Sequence, residues 1–382
     1  MGDGGALDDR ARANYERVLA DNLPAISERV RPGDVVIVHD PQPAGLIAGL
    51  RARGASVIWR CHVDLDRPNE RAREAWEFLY PYIVEADAYV FSRESFAWEG
   101  LDRDRLAVIA PSIDVFSPKN EDLDRSTVLA ALRASGCSPT ATRLSTRRSR
   151  ARTPTPSRVD RRAELFEDEP LDAITPAVLQ VSRWDTLKDP IGVIRGFAKH
   201  VPESTEAHLI YAAPSVVAVA DDPEGLRILQ EARALRETLP TAQRRRVHLA
   251  SLPMEEPAEN AIMVNALQRH VSVIVQKSLA EGFGLTVAEA MLKERPVVAS
   301  GIGGIRSQIV DGETGILLDD PRDLRAFGEA VTGLLLDPER AELLGQRARE
   351  RVRDEFTSPR SLLDYLRLIR RVLERSGVRA AA

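Results

Sequence analysis

From Arg31 onward the hydrophobic positions keep changing period. Short runs rich in β-branched residues alternate with longer stretches whose apolar residues recur every three or four positions. The first pattern fits buried strands and the second fits amphipathic helices. The first half predicts four strands, at 35–38, 57–59, 88–91 and 106–109. Within 69–86, Ala72, Trp76, Leu79, Tyr80 and Ile83 fall at helical spacing. The second half predicts six more strands, at 177–181, 208–211, 247–250, 271–275, 297–299 and 316–318. Strand and helix in strict alternation is the order of a parallel sheet covered on both faces, so the fold class is α/β with two Rossmann-like domains.

Two segments break the alternation. From Arg125 to Val159 there is no Asp or Glu, while eight arginines sit among Ser, Thr and Pro. So little apolar surface does not offset ordering entropy, and the stretch is expected to be a disordered insertion. A basic arm for nucleic acid is the weaker reading, because no aromatic residue there could stack on a base. The domains are then 1–115, a linker at 116–170 that holds the insertion, 171–357, and a C-terminal helix at 358–382. That helix carries Leu362, Leu363, Tyr365, Leu366, Ile369 and Leu373 as its predicted apolar face. It either packs back on the first domain or makes a homodimer contact.

Composition narrows the function. The 382 residues hold 53 basic and 58 acidic side chains, a formal charge of −5, which offers no general attraction for nucleic acid or an anionic membrane. No stretch approaches the about 18 apolar residues of a membrane helix. Two cysteines, Cys61 and Cys137, make no disulfide framework, and the acidic, Gly-rich start is unlike a secretion signal, so a cytoplasmic location is expected.

The stretch with most chemistry is Glu281-Gly-Phe-Gly-Leu-Thr286-Val-Ala-Glu289, which reads as a glycine loop leading from a strand into a helix. The unpaired N–H groups of a first helical turn and the positive end of the helix dipole make an anion site there. The same residues also fit a capping box, with Thr286 as cap and Glu289 reaching back. A nicotinamide fingerprint fits less well, because Lys277 to Glu281 separate strand from glycines and the next strand ends in Ser300-Gly301. After the strand at 177–181, Arg183 and Lys188 put two cations on the rim where ligands of open α/β sheets bind. In the first domain, two strands end in His39-Asp40-Pro41-Gln42 and Cys61-His62-Val63-Asp64. These residues suit a polyol-binding wall; their spacing matches no common zinc pattern.

Together these motifs carry a resemblance. Glu281 to Glu289 matches the E-x7-E motif of retaining GT-B glycosyltransferases, with Arg183 and Lys188 where that superfamily places its diphosphate-binding Arg and Lys. The runs His39-Asp-Pro-Gln-Pro43, Trp59-Arg-Cys-His-Val-Asp64, Pro111-Ser-Ile-Asp114 and Val181-Ser-Arg-Trp-Asp185 are similar to glycosyltransferring trehalose synthases and retaining trehalose phosphorylases. The resemblance implies a GT-B-like fold whose two domains face a cleft. It implies NDP-glucose and glucose as substrates, with glucose 1-phosphate replacing the nucleotide sugar in the phosphorylase variant, and no cofactor or essential metal. Arg183 and Lys188 would neutralise the leaving phosphate, and Glu281 with Gly282, Phe283, Gly284, Leu285 and Thr286 would hold the donor. Glu289 would bind the ribose. His39, Asp40, Gln42, His62 and Asp64 would line the acceptor side, with His62 joining Arg183, Lys188 and Glu281 as catalytic. Relatives begin with further strands and another glycine-rich loop, so the first domain is expected to be incomplete, and a catalytically weak homologue that binds nucleotide or sugar is the alternative to an active enzyme.

Overall fold

The computed structural model describes residues 5–63, 65–138, 159–216 and 223–377. They divide into two compact units, 1–112 with 358–382, and 113–357.

The first unit is built on four parallel strands in sequential order, β1 (Val35–His39), β2 (Ser56–Arg60), β3 (Ala88–Phe91) and β4 (Leu106–Val108). On one face Trp59, Phe91 and Trp98 form an aromatic cluster that takes in Leu79 and Ile83 of the helix Glu70–Ile83 and the partly buried Tyr15, Leu19 and Leu23 of the helix Asp9–Ser27. The helix Glu70–Ile83 starts where Asn69 caps it, accepting from the Ala72 amide at 2.9 Å. On the other face Ile58, Val90 and Ile109 pack against Leu368 and Val372 of the C-terminal helix Ser358–Arg375. The apolar stripe read from the sequence is rotated from the one observed by roughly a quarter turn. Tyr365, Leu368, Ile369 and Val372 meet the sheet, while Leu362, Leu363 and Leu366 stay 59%, 50% and 51% exposed. Leu368 and Val372 lie one turn apart and are the residues of this helix fully buried against the sheet, while half or more of each leucine in the arc beside them stays exposed.

The second unit has seven strands: β5 (Glu164–Phe166), β6 (Ala177–Val181), β7 (His208–Pro214), β8 (Val247–Leu252), β9 (Val273–Gln276), β10 (Val297–Ser300) and β11 (Ile316–Leu318). Their spatial order is β11-β10-β9-β6-β7-β8-β5. All pairings are parallel except β5 with β8. From β6 the chain builds outward through β7 and β8, then returns to lay β9 on the other side of β6. The neighbours β6 and β9 therefore flank the topological switch point, where loops leaving the carboxyl ends diverge and leave room for a ligand.

Two elements here differ from the sequence reading. Arg125–Ser135 is a helix, not part of a disordered insertion. Asp124, just ahead of the acid-free run, caps it by accepting from the Thr127 amide, and Gly136 in the left-handed region ends it. Val128, Ala131, Leu132 and Ser135 form its buried face, against the helix Pro257–His270. The rest of the expected insertion, 139–158, lies outside the described residues. Strand β5 was too short to show a period. It is pinned by its flanks, where the amides of Asp160 and Arg161 donate to Glu259 and Asp168 pairs with Arg236 and Arg244.

Truncating the buried side chain under the C-terminal helix should destabilise the first unit. Leu368→Ala is expected to lower its unfolding free energy by about 2–5 kcal/mol, and Leu363→Ala to change it by less than about 0.5 kcal/mol. Denaturant unfolding of the two variants checks this, and equal effects would refute the observed register.

Candidate functional site

The second unit's candidate site grows from the carboxyl ends of β6 and β9. Leaving β6, residues 182–189 form a short loop whose Asp185 accepts from the Leu187 amide at 2.7 Å and pairs through its other oxygen with Arg183 at 2.9 Å. Arg183 is 68% exposed, and an ion pair so placed is worth at most about 1 kcal/mol, so its guanidinium is readily redirected. Asp189 takes up a left-handed conformation, φ 50°, and caps the helix Pro190–His200 through the Gly192 amide.

The loop leaving β9 is joined to this one at several points. Gln180 is fully buried; its amide nitrogen donates to the Lys188 carbonyl at 2.7 Å and its oxygen accepts from the Lys277 amide at 3.0 Å. The Leu279 amide donates to the Leu187 carbonyl at 2.7 Å. Lys277, with no exposed surface, pairs its ammonium with Asp189. Lys188 reaches Glu281, Nζ to Oε2, at 2.5 Å, and Ser278 Oγ donates to the same carboxylate oxygen. Arg183, Lys188 and Glu281, chosen from motif position, are thus carried by loops of adjacent strands, and two of them touch. Gln180, Lys277 and Asp189 were missed, because a polar residue inside a strand pattern gives no sign of which neighbour it will meet.

Beyond Glu281 the chain passes Gly282 and Phe283 to Gly284, which has φ 83° and caps the helix Leu285–Leu292. The amides of Leu285 and Thr286 precede the first intrahelical bond, from Val287 to the Gly284 carbonyl. The turn rests on a second glycine run. The Gly304 amide donates to the Gly282 carbonyl at 2.7 Å, and a Cβ on Gly303 would collide with the Glu281 carbonyl oxygen. Gln308 closes the turn by donating to the Phe283 carbonyl.

The capping-box reading of Thr286 and Glu289 is not what forms. The cap is Gly284, two residues earlier, which puts Thr286 inside the helix, where its hydroxyl donates to Gln276 Oε1 at 3.0 Å. Glu289 instead pairs with Lys119, Oε1 to Nζ, at 2.9 Å. Its other oxygen, Oε2, is buried with no hydrogen-bond partner among the described residues. One turn on, buried Lys293 donates to the Glu289 carbonyl and to Asn120 Oδ1. Burial drives the Lys293 ammonium down to about 7, against a smaller opposing pull from Glu289.

In the first unit the structure brings His39, Asp40 and His62 together. Asp40 sits at φ 67°, held by its amide on the Arg60 carbonyl and by its carboxylate accepting from the His62 amide at 2.7 Å. The His39 and His62 rings stack 5.3 Å apart with Nδ1 and Nε2 at 3.0 Å. Desolvation and then the Arg60 charge lower the His62 pKa, which favours neutral imidazole. Gln42 is exposed beside this turn, and Asp64 lies outside the described residues. Among the described residues no three His, Cys, Asp or Glu side chains gather as a metal site, and no helix is long and apolar enough to cross a membrane.

Comparison with known proteins agrees with this architecture. The family described as "Trehalose synthase, N-terminal domain" matches residues 1–98, and "Glycosyl transferases group 1" matches 260–351. A trehalose synthase of Rubrobacter xylanophilus is 35% identical over 364 residues, which is 95% of this chain and 75% of that protein. A trehalose synthase of Thermococcus litoralis is 34% identical over 337 residues, 88% of this chain and 69% of the relative. In fold, a UDP-forming α,α-trehalose-phosphate synthase of Burkholderia vietnamiensis superposes with a TM-score of 0.69 at 15% identity, over 98% of this chain and 80% of that one.

Two outcomes test the site's construction. Lys277→Met leaves Asp189 without its buried partner and should destabilise the second unit by about 3–5 kcal/mol, read by denaturant unfolding. For Lys293 the folded pKa lies below the unfolded one, so between pH 7 and about 10.5 the unfolded chain binds the extra proton and stability rises with pH. Lys293→Met removes that dependence. The stability difference between variant and wild type, measured at pH 6.5 and 9.5, should shift in favour of the wild type at the higher pH; no change would show that Lys293 titrates normally.

Proposed function

We propose glucosyl transfer as the function of this chain, which belongs to the trehalose synthase family of GT-B glycosyltransferases. The substrates are a nucleoside-diphosphate glucose and glucose, the product is trehalose, and the anomeric configuration is retained. The observation that carries this reading is the Lys188–Glu281 pair beside the Gly284 turn. It joins a cation to a carboxylate three residues before the N-terminus of a helix, which is what a sugar diphosphate asks of a site.

In this reading Arg183 and Lys188 neutralise the diphosphate, with the amides of Leu285 and Thr286 adding donors. Glu281 holds glucose hydroxyls of the donor, Gly282, Phe283 and Gly284 shape the turn around it, and Glu289 accepts from the ribose. His39, Asp40, Gln42, His62 and Asp64 serve the acceptor glucose. The acceptor hydroxyl attacks the anomeric carbon as the bond from that carbon to the phosphate oxygen breaks. Its proton passes to the departing diphosphate oxygen, so no carboxylate nucleophile is needed. Stabilising charge on the leaving group is then the main task of the protein, with Lys188 already held on Glu281 before the ligand arrives. Cys61 and Cys137, both buried as thiols and not joined in a disulfide, fit work in the reducing cytoplasm.

Calorimetry with nucleoside diphosphate tests the donor side. Arg183→Ala removes one charge-assisted hydrogen bond to the ligand and should weaken binding by roughly 10- to 150-fold. Unchanged affinity would remove Arg183 from the site, and chromatographic absence of trehalose from NDP-glucose plus glucose would count against the transfer itself.

A further inference from the structure

The segment that follows Ile113 has no role in the reading above, yet it reaches the end of the donor site assigned to the nucleotide. Its course is fixed by buried side chains. Asn265 donates through Nδ2 to the carbonyls of Pro118 and Glu121 at 3.0 and 2.9 Å. Arg269 donates to the Glu121 carbonyl and to Asp122, and Asn120 ties the turn together through the Asp114 carbonyl. The segment then presents two consecutive side chains to the helix Leu285–Leu292 and the residue after it, Lys119 to the Glu289 carboxylate and Asn120 to the Lys293 ammonium.

The Lys119–Glu289 pair is unlike the exposed ion pairs elsewhere on the chain. The Glu289 side chain is 7% exposed and Lys119 35%. A carboxylate so far from water needs a cation to offset its burial and a bond to stay in one rotamer. Lys119 supplies both to Oε1, and Oε2 is left unmet among the described residues. A buried acceptor without a donor is a deficit that a ligand hydroxyl can relieve.

We propose that Lys119 is a positioning residue for the donor nucleotide, holding the Glu289 carboxylate oriented so that it accepts from a ribose hydroxyl. This rests on the assignment of Glu289 to the ribose. It makes the recognition of a ribose, as opposed to a deoxyribose, depend on a side chain that belongs to a different segment from the E-x7-E motif. Lys119 need not touch the nucleotide for this.

The test uses the full chain and whichever of ADP, GDP or UDP it binds tightest in calorimetry, together with the 2′-deoxy and 3′-deoxy forms of that diphosphate. Wild type should bind the ribose form more tightly than at least one deoxy form by roughly 10-fold or more. In Lys119→Met that ratio should fall to within about 2-fold, mostly through weaker binding of the ribose form, and the melting temperature should fall as the buried carboxylate loses its partner, so binding is measured well below it; Lys119→Arg should restore the ratio. A purely structural role would weaken both forms alike and leave the ratio standing, and that result overturns the proposal. If discrimination is lost in Glu289→Gln but kept in Lys119→Met, the ribose assignment stands and the role of Lys119 fails. If wild type shows no discrimination, the ribose assignment fails first and the proposal goes with it.

Discussion

Gln180 is the last residue but one of a strand that is covered on both sides, and an amide there must satisfy both its oxygen and its nitrogen or forfeit about 1–3 kcal/mol for each group left unmet. Its partners are the Lys277 amide on one side and the Lys188 carbonyl on the other. Those two bonds fix the loop after β6 against the loop after β9, and the buried Lys277–Asp189 pair locks the same junction one layer away. Lys188 and Glu281 meet because this frame leaves them facing each other. Strand order makes the frame possible: only β6 and β9, laid side by side where the chain reverses its direction of growth, bring both loops to one place.

The site's cations are not idle in the absence of ligand. Arg183 leans on Asp185, Lys188 on Glu281 and Lys277 on Asp189, so the local charge is nearly balanced. On the proposed reading a diphosphate would exchange partners here instead of meeting bare charge. Exposure falls from Arg183 to Lys188 to Lys277, which suits the first to capture a ligand and the last to hold the scaffold.

Much of this was legible in the chain. Strand cores were readable because β-branched runs in a doubly covered sheet leave little else they could be, and the run from Glu281 to Glu289 was readable as a turn from strand into helix because its two glycines suit the left-handed start that Gly284 takes. Composition misled at Arg125, where the helix signal of Val128, Ala131 and Leu132 was outweighed by the polar run after it, and its cap lay one residue outside the window. It also misled at the C-terminus, where counting every leucine hid the pair, Leu368 and Val372, that the sheet takes. The capping box was a false match of the opposite kind. Thr286 and Glu289 have the right spacing, but the left-handed turn at Gly284 starts the helix earlier, and only partners distant in sequence, Gln276 and Lys119, show what those side chains do. The sheet order and the Gln180 bridge have no sequence signature at all, since both depend on which strand lies beside which.

The glycine floor under the donor turn carries a consequence for how such a site can change. Gly303 and Gly304 lie so close to the backbone of Glu281, Gly282 and Phe283 that neither has room for a single added carbon. The turn is supported from below by main chain, whose shape is the same whatever the side chains above it are. If the turn holds a sugar, as proposed, variation in that sugar would come from the residues on its upper side and from its neighbours. A lineage that exchanged one ligand for another would keep the floor and redecorate the surface above it.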